Sequence, residues 1–192
     1  MSKAILKKTI LSFFLLFFPM IGLAINGPYI TAEFGGISST KSLIFDHQAG
    51  YGGRIAGGYL FGENHFNYGL ESGVLYYPHL SGTDGLFFVT NDVVSGYNID
   101  LLGVIKYTFD CHFLIFGKAG AAYVNQKITG KSNVGTITVT ENDKYRSITP
   151  EVALGVGYQL TPKTEINLTT STALPNNSAA ITTLMLGLSY SF

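Results

Sequence analysis

The stretch Leu184 to Phe192 reads LMLGLSYSF. Leu184, Leu186, Leu188, Tyr190 and Phe192 alternate with Met185, Gly187, Ser189 and Ser191. Successive side chains of a strand point to opposite faces, so the first set makes one continuous apolar face and the second a face of mostly small or polar residues. A strand of this kind meets two different surroundings, and the question for the rest of the chain is which face meets which.

Upstream, clusters of Gly, Pro, Asn and Asp divide the chain into further alternating segments. Eight strands are predicted: Tyr29 to Ile37, Tyr51 to Phe61, Phe66 to Tyr77, Val94 to Phe109, Phe113 to Asn125, Ile148 to Leu160, Glu165 to Thr172, and Ala180 to Phe192. Each reaches or somewhat exceeds the roughly 9 to 11 residues of a tilted transmembrane strand. The connections alternate in length. Tight ones (Gly62 to His65, Asp110 to His112, Thr161 to Thr164) separate long ones (Pro78 to Val93, Gln126 to Ser147, Ala173 to Ala179). This is the pattern of an antiparallel up-and-down barrel with short turns on one rim and long loops on the other.

Alternation alone does not separate a membrane barrel from a water-soluble one; the position of the charges does. In the third segment Phe66, Tyr68, Leu70, Val74 and Tyr76 oppose Asn67, Gly69, Glu71 and Gly73. In the fourth, Tyr97, Ile99, Leu101, Ile105 and Tyr107 oppose Asn98, Asp100 and Lys106. In the sixth, Val152, Leu154, Val156 and Tyr158 oppose Glu151, Ala153, Gly155 and Gly157. Charges therefore travel with small residues. An eight-stranded lumen is just wide enough to be filled by side chains, so the crowded face is the inner one. A soluble barrel would show the reverse. The fifth segment fits least well, with Gly117, Ala119 and Ala121 on the outer face and Phe116 inside. Aromatic residues near the segment ends, among them Tyr29, Tyr59, Phe61, Phe66, Tyr76, Phe113, Tyr158 and Phe192, are expected to form girdles at the two membrane interfaces.

The lumen so defined receives Glu33, Arg54, Glu71, Asp100, Lys106, Lys118, Glu151 and Glu165. A Lys or Arg near the midplane of the lipid face would cost about 2 to 4 kcal/mol. Inside, each close ion pair gains about 4 kcal/mol of Coulomb energy at an effective dielectric of about 20, before desolvation is subtracted. An ion-paired plug is the expectation.

The 192 residues carry only 12% charged side chains, and glycine is abundant at 23 residues. Soluble domains average about 25% charged. Lys3, Lys7 and Lys8 precede an apolar run that ends in Gly22-Leu23-Ala24, which reads as a secretory signal over residues 1–24, leaving a single barrel domain at 25–192. The run is too short for a membrane helix, which needs about 20 apolar residues, and no later stretch is long enough either. Loss of three lysines with the leader gives the remainder a formal charge of minus 3. No basic surface for nucleic acid is expected.

Reactive chemistry is sparse. Cys111 beside His112 does not supply a tetrahedral metal set and reads as a turn residue. The four histidines, His47, His65, His79 and His112, all fall in predicted loops or turns. Ser171 and Ser178 have no histidine nearby in sequence, so no nucleophile and base pair is indicated. The glycines from Gly50 to Gly58 lack the Lys-Ser/Thr of a phosphate loop, and Asn167-Leu168-Thr169 lies in a predicted strand. No catalytic residue, cofactor or metal is expected.

The leader, the eight strands, the charges on the small-residue face, FLIFGKAGAAYV (Phe113 to Val124), EVALGVGYQL (Glu151 to Leu160) and the terminal Phe192 together resemble the OmpA-like small β-barrel family of the bacterial outer membrane. The resemblance is to the barrel domain alone, so tethering to the cell wall is not carried over. It implies that Leu188, Tyr190 and Phe192 are read by the outer-membrane assembly machinery. It also implies a monomer in contact with lipid and lipopolysaccharide, serving envelope structure or adhesion, with host or envelope proteins as partners of its loops. Within the loops, Leu86-Phe87-Phe88-Val89 is an apolar patch, and Thr136 to Thr140 offers a hairpin beyond the membrane. A small diffusion pore and a lipid-modifying enzyme are the competing functions.

Overall fold

The computed structural model describes residues 27–40, 47–63, 65–84, 90–134, 137–174 and 180–192. The leader and the patch Leu86 to Val89 lie outside them. Eight strands follow one another: β1 (Pro28–Thr40), β2 (His47–Glu63), β3 (Phe66–Asp84), β4 (Thr90–Thr108), β5 (Phe113–Val134), β6 (Ile137–Thr161), β7 (Thr164–Ala173) and β8 (Ala180–Ser191). Each pairs antiparallel with its neighbours in sequence order, and β1 pairs with β8 to close the barrel. The closing seam runs from Tyr29 opposite Ser191 to Thr40 opposite Ala180. Beyond it, the Phe192 amide donates to the Pro28 carbonyl at 3.1 Å.

The burial pattern is inverted relative to a water-soluble protein. Ile55 is 72% exposed, Leu154 68% and Phe34 65%, while Arg54, Glu71 and Asp100 are buried. Such an outer wall is stable only against hydrocarbon. On β3 the outward face runs from Phe66 to Tyr76, ten residues along the strand. At about 3.3 Å per residue and a tilt of about 40° this makes a band about 25 Å tall, the height of the apolar belt of a membrane barrel.

Local chemistry sets the tight turns. At one, the His112 amide donates to the Phe109 carbonyl at 3.0 Å and His112 itself takes φ 66°. That is a three-residue hairpin loop with its last residue left-handed, ahead of the Phe109–Phe113 rung. At another, Thr161 Oγ1 accepts from the amides of Lys163 and Thr164, holding the Pro162-Lys163 corner.

At the opposite rim the structure departs from the sequence expectation. The segments expected as long loops, Pro78 to Val93 and Gln126 to Ser147, are largely strand. β3 and β4 continue to Asp84 opposite Thr90, and β5 and β6 to Val134 opposite Ile137. His47 and His79 consequently lie in strands, not loops. The register of β6 with β7 ends at Glu151 opposite Ala173, with a last hydrogen bond from the Leu174 amide to the Pro150 carbonyl at 3.0 Å, so among the described residues 137–149 of β6 pair with β5 alone. That edge begins beyond Pro150, a residue with no amide hydrogen to donate. A second irregularity, the register shift between Tyr77 and Leu80, falls at Pro78 for the same reason. Strands β3 to β6 thus rise as an open sheet above a barrel that closes lower on its other side.

Leu154 stands on the outward face near the middle of the apolar belt. Leu154→Arg is expected to lower the unfolding free energy by about 2 to 4 kcal/mol, read from urea titration of the protein refolded in bilayers.

Candidate functional site

The lumen is built by the inward parity of each strand, and its side chains sort into three levels. Midway stands Arg54 on β2. Its Nε and Nη2 donate to the two carboxylate oxygens of Asp100 on β4 at 2.9 and 2.8 Å. Nη1 donates to Glu33 on β1 at 2.9 Å and Nη2 to Glu71 on β3 at 2.7 Å. Lys118 on β5 straddles both oxygens of Glu71 at 2.7 and 2.9 Å. Tyr29 donates its phenol to Glu71 at 2.6 Å, and Thr169 on β7 donates to Glu33 at 3.1 Å. One connected cluster therefore joins six strands around the circumference.

This geometry has a steric requirement. A Cβ on Gly73 would lie 2.7 Å from Nη2 of Arg54, and one on Gly187 would lie 2.9 Å from Cγ of Glu33. Glycine at these positions leaves room for the charged heads, which is the physical content of the charge-with-glycine pattern.

Toward the tight-turn rim, Lys106 on β4 pairs with Glu165 on β7. Thr31 and Ser189 share a hydrogen bond at 2.7 Å, and Asn167 donates to Ser189 at 3.0 Å. Tyr29, Leu60 and Val104 pack together beside them. Glu151 is buried on the same inward face, but it makes no ion pair among the described residues. It borders a small void with Glu33, Arg54, Lys118 and Ser171. The eight charged residues expected in the lumen thus divide into one cluster of five, one separate pair, and Glu151.

Toward the other rim the interior is apolar, which the charge pattern alone does not reveal. Ile37, Leu75, Tyr77, Leu80, Val124, Ile181 and Met185 belong to one buried cluster there. Tyr77, with no exposed surface, donates to Asn98 at 3.2 Å. Tyr29 also differs from expectation. It lies not in an interfacial girdle but in the lumen, 7% exposed, because it shares the parity of Glu33 on β1. That parity, and not its aromatic character, was the usable signal.

Two interior voids, of about 20 and 10 Å³, border the charged cluster. A single water needs roughly 10 to 15 Å³. Among the described buried side-chain atoms only Nε2 of Gln126 lacks a hydrogen-bond partner. The polar interior is therefore almost wholly satisfied by protein groups.

Leu188, Tyr190 and Phe192 point outward from the last strand, with the Tyr190 and Phe192 rings edge to face at 5.4 Å. The hydroxyl of Ser171 shares a hydrogen bond with Thr183 at 2.9 Å; Ser178 lies outside the described residues. No group of three metal-ligating side chains assembles among the described residues. Cys111 is exposed at its turn.

A closed antiparallel barrel of eight strands, apolar outside and ion-paired within, defines a membrane protein that crosses its bilayer with strands. The family model of the outer membrane protein beta-barrel domain matches residues 22–192, and the chain belongs to that family. Its place is the bacterial outer membrane, with the tight turns on the periplasmic side. Among solved structures it is similar to Ail, the attachment invasion locus protein of Yersinia pestis. The TM-score is 0.58 and the identity 13%, over 88% of this chain and 100% of that one. It is also similar to Ail in complex with the heparin analogue sucrose octasulfate, with TM-score 0.53 and 13% identity over 86% and 99% of the two chains. Neisserial surface protein A gives TM-score 0.51 and 15% identity over 86% and 97%. At these identities the likeness is one of fold. No curated protein sequence matches the chain.

Arg54→Ala leaves Glu33 and Asp100 buried without their cation. A loss of about 3 to 5 kcal/mol in unfolding free energy is expected, measured by urea titration in detergent micelles. Arg54→Lys is expected to recover only part of it, because an ammonium does not reproduce the two-pronged contact with Asp100.

Proposed function

We propose that the protein is a closed envelope barrel that works through its outer surface, serving adhesion or contact with host or neighbouring envelope proteins. The observation that carries this reading is the sheet of β3 to β6, which continues in register above the barrel and presents residues 137–149 of β6 as an edge with no partner strand on its β7 side among the described residues. A rigid frame that displays extended backbone and loops is suited to recognition. The fold likeness to Ail, described as an attachment invasion locus protein, supports the same direction.

On this reading the lumen is a plug. Arg54 and Lys118 bind the carboxylates of Glu33, Glu71 and Asp100 across the middle, Lys106 and Glu165 act below, and the apolar cluster seals the outer end. The charges hold strand register and exclude a continuous water column. The voids are too small for a pore, and Ser171 is engaged with Thr183, which speaks against a hydrolase. Leu188, Tyr190 and Phe192 serve as the signal for the assembly machinery, and residues 1–24 as the export leader. The barrel acts as a monomer surrounded by lipid and lipopolysaccharide.

Joining Gly130 to Glu141, which are register partners, through Asn-Gly shortens the β5–β6 hairpin without changing the barrel below it. The shortened protein is expected to keep its heat-shifted gel mobility and lose binding to host cells; unchanged binding would remove the role assigned to the part of the sheet beyond Gly130 and Glu141. In planar bilayers the full-length barrel is expected to give no large, stable conductance, and a well-defined open level would defeat the plug.

A further inference from the structure

The outward row of the β5–β6 hairpin changes chemistry as it leaves the apolar belt. Three successive outward rungs pair Tyr123 with Ile148, Asn125 with Arg146, and Lys127 with Lys144. Lys127, Lys144 and Arg146 are all exposed. Directly opposed residues of an antiparallel pair hold their Cβ atoms about 4.5 to 5.5 Å apart and diagonal ones about 7 to 8 Å. Three cations therefore share one small patch.

Among the described residues that patch has no counterion. None of the three makes an ion pair with a described residue, whereas Arg54, Lys106 and Lys118 all do. The described outward neighbours Val93, Ser95, Asn125 and Thr129 include no carboxylate. Two lysines placed directly opposite one another destabilise a strand pair, and an anion seated between them removes that penalty. On the other walls of this rim the described outward residues Ser38, Ala49, Pro78, Thr172 and Thr182 are uncharged. Among the described outward residues of this rim, Lys and Arg occur on β5 and β6 alone.

Its height identifies the anion. Arg146 lies two residues beyond Ile148, which is 76% exposed at the top of the apolar belt. Lys127 and Lys144 lie four residues beyond Tyr123 and Ile148 respectively. At about 3.3 Å per residue and a tilt of about 40°, those steps climb about 5 and 10 Å. The headgroup layer extends about 5 to 8 Å past the hydrocarbon. Arg146 stands at headgroup level, and Lys127 and Lys144 stand just beyond it, their long flexible side chains able to bring the ammonium groups down to it, on the wall that faces lipid above Tyr123 and Ile148.

We propose that Lys127, Lys144 and Arg146 form a binding site for a phosphate group of a phosphorylated glycolipid in the outer leaflet. Arg146 offers its planar fork to two phosphate oxygens, and the lysines act as point charges on either side. Tyr123 and Ile148 receive the lipid chains below. Continuity with the apolar belt selects a membrane lipid over a soluble polyanion, which would have no use for the lower rung. The site requires only the outer-membrane setting and is independent of what the sheet edge or the loops bind.

The test uses the barrel refolded in zwitterionic nanodiscs containing a trace of labelled bisphosphorylated lipid A. Energy transfer from a dye on the barrel reports enrichment of the lipid. A basic residue near an anionic lipid surface contributes about five-fold, so Lys127→Gln/Lys144→Gln/Arg146→Gln is expected to weaken the association about a hundred-fold. Lys163→Gln, on a periplasmic turn, is expected to behave as the unsubstituted protein, and lipid A stripped of phosphate is expected to show no enrichment. Heat-shifted mobility verifies folding of each variant. Should the triple variant not refold, Lys144→Gln and Arg146→Gln singly carry the test at about five-fold each. Full retention of lipid A by the substituted barrels would overturn the proposal, as would equal enrichment of the phosphate-free lipid. Loss confined to a soluble sulfated glycan, with lipid A binding intact, would assign the patch to a different ligand and overturn it too.

Discussion

Hydrocarbon offers no hydrogen bonds, and that single deficiency dictates the architecture. An open sheet in a bilayer would leave two edges of unpaired amides and carbonyls, each costing several kcal/mol. The β1–β8 seam removes both edges at once. Once the sheet is closed, strand alternation sends every second side chain inward, and lipid outside requires the outward set to be apolar. The polar and charged residues then have only the lumen to occupy. Above the membrane the constraint lapses. There β6 can run on with one side unpaired, because water satisfies the free backbone groups that lipid could not.

Polar residues in a narrow lumen replace one problem with another, since buried charges lose their hydration. The solution is shared partners. One guanidinium serves Asp100, Glu33 and Glu71, and one ammonium serves both oxygens of Glu71. Removing either kind of partner exposes the other to the full desolvation cost, so such a cluster is worth more as a determinant of register than as net stability. A one-residue slip of β2 would turn Arg54 into lipid and Ile55 into the lumen, and no other cation on that strand could replace it. The apolar layer around Tyr77 has no such penalty to offset and packs like an ordinary core.

The parts of this arrangement that were legible in the sequence are those where two solvents leave an imprint. In β3 and β6 the membrane-level charges and glycines share one parity because the same crowded interior demands both, and Gly73 beside Arg54 is the contact in which that demand is met. Where the strands leave the membrane, the imprint fades. Residues 126–147 are rich in Asn, Gly, Lys and Thr and read as a loop, yet 126–134 and 137–147 pair as regular strands. With water on both faces, pairing is set by the register inherited from below and not by alternation. The apolar outer layer was hidden for a related reason. Leu75, Tyr77 and Val124 are inward by parity, but an apolar residue carries no label of side when the outer wall is apolar as well. Tyr29 shows that parity outranks aromatic character: near a strand end it would suit an interface, yet it shares the inward side with Glu33.

The same reasoning accounts for the odd character of β5. Its outward row passes from Ile115 through Gly117, Ala119 and Ala121 to Tyr123, and then to Asn125 and Lys127. Small residues at mid-membrane are tolerated because lipid chains adapt their shape to a depression, whereas the packed lumen does not. Phe116 shows the other side of that asymmetry. Its ring sits inward, and a Cβ on Gly155 of β6 would collide with it. Bulk that β5 withholds from the lipid face is thus placed in the lumen, where it is matched by a glycine across the strand pair. A residue's size on such a wall is decided by the less forgiving of its two surroundings, which here is the protein interior and not the membrane.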